Sequence, residues 1–387
     1  MTFKLIKKDR NSGARLGKLK TGHGTIQTPC FMPIATCASI KSLDSIEMEK
    51  MNAEIILGNT YHLYLRPGDK IIKKLCDLHG FMNWKKPILT DSGGYQVFSL
   101  SSIRKITEKG VRFRSHIDGS YHMLTPEKSI DIQLNLGSDI IMVLDECAPY
   151  PSSEEYIEES LELTARWAKR CKEHLEKSQI TNHKSQINSK FKISKSKTIK
   201  PLLFGIVQGG TYRDLREKSA KQLLELNFDG YAIGGVSVGE PSEKMYNVVD
   251  WTAHLLPEDK PRYLMGVGKP EEIIGSVARG IDMFDCVIPS RNARHGTLYK
   301  FKVNNEKIKI AKRPGKFYEI LRITNKKFKT DQKPIDENCK CFTCKNYSRA
   351  YLRHLFVSRE LLAYRLATIH NLNFYLELMK RIRNSIK

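Results

Sequence analysis

Eight short apolar runs, each closing on glycine or polar residues, punctuate the chain: FMPIA at 31–35, AEIILGNT at 53–60, PILTDSGG at 87–94, DIIMVLDE at 139–146, PLLFGIVQGG at 201–210, YAIGGVSVGE at 231–240, PRYLMGVG at 261–268 and MFDCVIPS at 283–290. Continuous rather than alternating apolar character belongs to strands buried on both faces of a parallel sheet. Helical stretches separate several runs. The clearest starts at Ser152, with acids early, bases late and apolar positions Tyr156, Leu161, Leu163, Trp167 and Leu175. Eight such units predict an α/β fold, a (β/α)8 barrel, with a doubly wound sheet as the alternative. In a barrel the chemistry sits at the carboxyl ends of the strands, and there the runs place Asn59, Thr60, Asp91, Ser92, Asp145, Glu146, Gln208, Glu240 and Asp285. One aspartate at a strand end is ordinarily a helix cap. Several ends closing on Asp or Gln around one rim point to a site.

Composition narrows the class. A chain of 387 residues with 40% hydrophobic residues has enough apolar material for a large core, which excludes disorder throughout. No run of 18 apolar residues is present, and the first residues, MTFKLIKKDRNSGARLGKLK, lack the apolar stretch of a secretory signal, so a soluble cytoplasmic protein without a membrane partner is expected. The formal charge of +23 favours a polyanionic partner. Much of that excess is local: segment 177–200 holds seven Lys and no acid, and 299–333 holds twelve bases against three acids. The first reads as a mobile insertion on the helical layer of the barrel, the second as a basic connector.

Six of the nine cysteines are scattered, which suits buried thiols in a reducing compartment. Cys339, Cys341 and Cys344 lie within six residues and supply three soft thiolates for one tetrahedral ion. Zinc in a closed structural shell is the expectation, with His354 or His370 as the fourth ligand; spacing does not choose between them. The GVGK at 266–269 is not a phosphate loop, because Tyr263 and Pro270 occupy positions where that motif needs Gly and Ser or Thr.

The segments LGNTYHLYLRPG at 57–68, DSGGYQVFSL at 91–100, LDECAPYP at 144–151, GIVQGG at 205–210, GGVSVGE at 234–240, RYLMGVGKPE at 262–271, GIDMFDCVIPSRNARHG at 280–296, CKCFTCKNYSRAYLRHLF from Cys339 and HNLNFY from His370 resemble the bacterial tRNA-guanine transglycosylases, in order, from about Phe3 to Ile386. The resemblance implies a TIM barrel over 1–298, interrupted at 177–200, followed over 299–387 by the connector and a zinc subdomain with C-terminal helices. The implied activity is exchange of guanine at wobble position 34 of tRNAs with GUN anticodons (those for Asp, Asn, His and Tyr) for 7-aminomethyl-7-deazaguanine, in queuosine biosynthesis.

On that resemblance Asp285 is the nucleophile that holds C1′ as a covalent ribosyl-enzyme, and Asp91 transfers protons to the leaving base and from the incoming one. Asp145 accepts from N1–H and the 2-amino group, Gln208 and the Gly235 amide serve O6, Tyr95 stacks on the base, and Ser92, Gly93 and Gly94 form the tight turn beside it. Gly266, Val267, Gly268, Lys269, Pro270, Glu271 and Glu272, with Ser290, Arg291, Asn292, Ala293 and Arg294, match segments that hold the tRNA anticodon stem-loop. The metal set becomes Cys339, Cys341, Cys344 and His370, with one structural Zn2+ per subunit of a homodimer. Cys147 and Val238 match members that take the aminomethyl 7-deazaguanine base rather than the bulkier queuine. ATCAS at 35–39, Val236–Ser237 and His295 depart from the usual pattern. A queuine-specific enzyme and a non-catalytic tRNA-binding subunit are the rivals, the second disfavoured by retention of Asp91, Asp285, Asp145 and Gln208.

Overall fold

A computed structural model describes residues 2–100, 104–187, 200–302 and 305–387, the side chains of 179–187 excepted. All eight apolar runs form barrel strands: β1 (Cys30–Met32, resuming after Pro33 as Ile34–Ala35), β2 (Ile56–Gly58), β3 (Ile88–Thr90), β4 (Ile140–Met142), β5 (Leu202–Val207), β6 (Gly230–Ile233), β7 (Arg262–Leu264) and β8 (Met283–Asp285). Each pairs in parallel with its sequence neighbour, and β8 returns to β1 through Met283–Cys30 and Asp285–Met32, so the sheet closes. The expected (β/α)8 architecture is therefore the one observed. Every residue of β5 is buried, which is why its run shows no alternation.

The barrel is pinned at its amino-terminal end by carboxylates that precede alternate strands. Asp139, Asp229 and Asp282 accept the backbone N–H of Ile88, Leu203 and Arg262, each at the start of the neighbouring strand, at 2.8 to 3.0 Å. Asp282 is fully buried and also takes Arg15 Nη2 at 2.7 Å and Nε at 3.2 Å. Arg15 belongs to an antiparallel meander of Phe3–Lys8, Arg15–Thr21 and Gly24–Thr28, which covers this end of the barrel. The functional mouth is left at the opposite end.

The helix expected from Ser152 spans Glu154–Ile187, but its core stripe runs through Ile157, Leu161, Trp167, Cys171 and Leu175, with Tyr156 on the shoulder. The helical backbone enters the Lys-rich segment, whose residues 188–199 lie outside the described residues. Three strands absent from the apolar count, Arg104–Thr107, Gly110–Arg114 and Tyr121–Leu124, form an antiparallel sheet between β3 and β4. The basic connector is partly strand, since Thr297–Phe301 pairs with Tyr318–Arg322. Beyond it the helix Leu361–Ile386 docks along the barrel, with Arg383 Nη1 donating to Pro29 O at 2.8 Å and Tyr375 Oη to Gly268 O at 2.6 Å.

Replacing Asp282 with Ala leaves the buried Arg15 guanidinium without its counter-charge, so the barrel should lose about 3–5 kcal/mol. Chemical denaturation of the variant beside Asp229→Ala, which removes only one backbone acceptor and should cost about 1–3 kcal/mol, checks both magnitudes.

Candidate active site

Asp91 follows β3 and is buried at the mouth. One carboxylate oxygen takes the Thr60 N–H at 2.8 Å, the other the Asn59 side-chain amide, and Thr60 Oγ1 donates back to the Asp91 carbonyl. Burial pushes its carboxyl up to about 6; the Thr60 and Asn59 donors oppose the shift and the charge on Asp285 adds to it. A carboxyl that titrates this near neutrality can both give and take a proton.

Asp285 closes β8. Its Oδ1 accepts Tyr263 Oη at 2.6 Å and the Gly266 N–H at 2.8 Å, while Oδ2 has no partner among the described residues. Burial raises its pKa and these two donors restrain the rise. The charges of both Asp285 and Asp91 act on the Tyr263 hydroxyl, whose pKa burial raises in the first place. The two acids thus share one mouth.

A third buried acid adjoins the turn that follows Asp91. Asp145, after β4, accepts Gln208 Nε2 at 2.7 Å on Oδ2 and Ser92 Oγ at 3.1 Å on Oδ1, and burial lifts its carboxyl to about 6. Gly93 has φ +83°, and a Cβ on Gly94 would meet the Asp145 carbonyl at 2.7 Å, so the DSGG turn needs both glycines to lie against Asp145. A Cβ on Gly235 (φ +63°) would meet Gln208 Oε1 at 2.3 Å, closer still, and the Gly235 amide is near enough to the Cys147 thiol to oppose the rise that burial gives it. Tyr95 stands half exposed at the start of the helix Gly94–Leu100, close enough to Cys147 to feel its charge. Glu240 takes the amides of Ser237 and Val238, which holds the loop bearing Val238.

The two segments matched to anticodon contacts are unevenly accessible. Gly266, Lys269 and Glu271 reach the surface, whereas Val267, Gly268, Pro270 and Glu272 are buried. Lys269 pairs with Glu272 at 2.9 Å, and Glu271 accepts Tyr318 Oη at 2.6 Å. In the helix Ile288–Arg294, Arg291 is exposed, Asn292 and Arg294 are part-exposed, and Ser290 and Ala293 are buried.

Two residues escaped the sequence reading. Tyr263 entered it only as a mismatch to a phosphate loop, yet an aromatic hydroxyl inside a buried strand needs a polar partner, and that was its signal. Arg216 was not singled out. It is fully buried, and Nη1 donates to Val207 O at 3.0 Å and Gly234 O at 2.8 Å while Nε donates to Gly210 O at 2.8 Å, joining the loops that carry Gln208 and Gly235. Desolvation lowers its pKa to about 9. Its signal was periodicity: it stands three, four and seven residues before the buried Ser219, Ala220 and Leu223.

Near the carboxyl terminus, Cys339, Cys341 and Cys344 present their sulfurs to His370 Nδ1 at 3.8, 3.7 and 3.3 Å, and all four donor atoms lie within 4.8 Å of one another. These separations match the edges of a tetrahedron built on metal–sulfur and metal–nitrogen bonds of about 2.0–2.3 Å. His370 Nε2 lies 2.7 Å from the Tyr299 carbonyl, which leaves Nδ1 as the ligating nitrogen. The buried Cys3His group fits a metal ion. His354 is exposed on the helix Arg349–Val357 and is not part of the group.

A closed parallel barrel, acids at the carboxyl ends of β3, β4 and β8, and a buried Cys3His group that fits a metal ion define a (β/α)8 enzyme with a candidate metal site near its carboxyl terminus. A sequence model of the Queuine tRNA-ribosyltransferase family matches residues 9–387, and the chain belongs to that family, a family of pentosyltransferases. Proteins named Queuine tRNA-ribosyltransferase from Caldanaerobacter subterraneus subsp. tengcongensis and Halothermothrix orenii are 55% and 52% identical to it, over 100% of this chain and 93% and 94% of their own lengths. One of the same name from Thermodesulfovibrio yellowstonii is 51% identical, covering 100% of this chain and 91% of its own. No helix of the described residues is long and apolar enough to cross a membrane.

Metal content separates the two histidines. His370→Ala should lose the ion and the cooperative melting of the carboxyl-terminal helices, and His354→Ala should keep both; elemental analysis of each purified variant, with its thermal melt, reads the outcome.

Proposed function

We propose that this chain exchanges guanine at position 34 of GUN-anticodon tRNAs for 7-aminomethyl-7-deazaguanine by double displacement, in queuosine biosynthesis in the cytoplasm. The observation that carries this reading is the asymmetry of the two acids. Asp285 is held by Tyr263 and Gly266 on one oxygen only, so Oδ2 is aimed and available to attack C1′ as the glycosidic bond breaks. Asp91 has both oxygens engaged and a pKa near 6, the mark of a proton carrier rather than a nucleophile. Guanine leaves with a proton from Asp91. The incoming base returns one and displaces Asp285 from C1′, so the sugar keeps its configuration after two inversions.

In the pocket, ionised Asp145 accepts N1–H and the 2-amino group, Gln208 donates to O6, and the Gly235 amide exchanges the Cys147 sulfur for O6. Tyr95 stacks on the base, with Ser92, Gly93 and Gly94 against its edge. The match of Cys147 and Val238 to members that take the aminomethyl base favours that base over queuine. Gly266, Lys269, Glu271, Arg291, Asn292 and Arg294 face the anticodon, while the buried members of the two segments shape the backbone beneath them. The metal is proposed as zinc held by Cys339, Cys341, Cys344 and His370; four protein ligands leave no open position, so the ion supplies folding free energy to the subdomain. The catalytic barrel is assigned to 1–298 and the connector with the metal subdomain to 299–387, in a homodimer.

With radiolabelled guanine and unmodified tRNA, Asp285→Ala should incorporate no label and Asp91→Asn should slow exchange about 10²–10⁴-fold; wild-type incorporation by Asp285→Ala would sink the nucleophile assignment. Because Asp145 titrates near 6 and only its ionised form accepts from the base, the KM for guanine should be flat above pH 7 and rise as pH falls through about 6. Competing the aminomethyl base against queuine reads the substrate preference directly.

A further inference from the structure

The three-stranded sheet inserted between β3 and β4 has two unlike faces. Val111, Phe113, His122 and Leu124 form the inner one: Phe113 is buried and stacks on the His122 ring at 5.4 Å, and His122 Nδ1 meets Tyr64 Oη at 2.9 Å. Tyr61 Oη reaches His116 Nδ1 at 2.8 Å in the same way. Both tyrosines stand on the helix Thr60–Leu65, whose first N–H holds Asp91. The sheet is therefore mounted on the element that positions the proton carrier, at the carboxyl end of the barrel.

Its outer face carries Lys105, Arg112, Arg114, Tyr121 and Met123 and no acid. The register sets Lys105 directly opposite Arg112, and Arg114 opposite Tyr121. Like charges directly across strands are destabilising. The acids nearest in sequence are engaged at the turns: Glu108 pairs with Arg166 at 2.9 Å, and Asp118 accepts Ser120 Oγ at 2.8 Å. Among the described residues neither Lys105 nor Arg112 has an acidic partner. The Arg112 guanidinium lies 4.8 Å from the centroid of the Tyr121 ring, which is 57% exposed, so the face combines cations with an open aromatic plane. An edge lysine also guards against stray strand pairing, but Arg112 is on the central strand, where no such guard is needed.

The geometry points to this outer face as a phosphate-binding platform that holds the sugar–phosphate backbone of the tRNA outside the reaction pocket. The inference rests on tRNA being the substrate. Like-charge repulsion across Lys105 and Arg112 is relieved when backbone phosphates lie between them, and Tyr121 offers a sugar or base a surface to rest on.

Lys105→Glu tests it, because a glutamate opposite Arg112 converts a repulsive pair into an attractive one. The variant should melt no lower than wild type, keep its KM for guanine, bind unmodified full-length tRNA several-fold more weakly, and lose about one from the slope of log K against log salt. Arg112→Gln should weaken tRNA in the same direction. Unchanged tRNA affinity and salt slope in a folded Lys105→Glu chain would overturn the platform. Binding is measured directly, so absence of guanine exchange in the wild type would count against the proposed reaction and leave this reading to stand or fall on the affinities.

Discussion

A carboxylate taken out of water must be given donors, and what donates to it separates the structural acids of this barrel from the reactive ones. At the amino-terminal end Asp282 is fully engaged, by Arg15 and by the Arg262 amide. Asp139 likewise takes two backbone amides and the rings of His23 and His79. These groups are spent on closing the sheet. At the mouth the accounting differs: Asp145 is held by two side chains that a planar base could itself engage, and Asp285 keeps an oxygen without a partner. Burial raises all three mouth acids, Asp91, Asp145 and Asp285, as it raises Asp282; what sets the rim apart is that Asp145 is held by exchangeable side chains, that one oxygen of Asp285 has no partner among the described residues, and that the fully engaged Asp91 titrates near 6.

The metal subdomain is joined to the same rim through the backbone. His370 anchors the Tyr299 carbonyl, the next residue in its helix, Asn371, donates to Pro289 O and Thr297 O, and Tyr375 donates to Gly268 O. One helix thereby ties the Cys3His group to the loops after β7 and β8, which include Gly266 and the segment following Asp285. An ion held by these four residues would in this way matter to catalysis without touching substrate.

The eight strands were legible because strands buried on both faces are apolar nearly throughout, and β4 and β5 need nothing more to be found. Their polar ends were legible for the complementary reason that a parallel barrel places such ends on one rim. The antiparallel strands around Arg112 and Thr297 were not, since their half-exposed surfaces are rich in Lys and Arg and resemble loop. Arg216 was hidden by a helix whose other charged residues face solvent; only its phase relative to Ala220 and Leu223 distinguished it.

By itself the sequence determined which residues could be buried and in what period, and with that the eight strands, their order along the chain and the thiol cluster. Spacing offered His354 and His370 on equal terms, and only the family resemblance pointed to His370. Tertiary structure brings His370 to the cysteines, because that meeting depends on where the helix Leu361–Ile386 crosses the cysteine turn, a distance in space that no count of residues contains. The same holds for Asp285: its position at a strand end is written in the chain, but the hydroxyl and amide that occupy one oxygen and leave the other come from β7 and the loop that follows it, brought alongside only when the sheet closes.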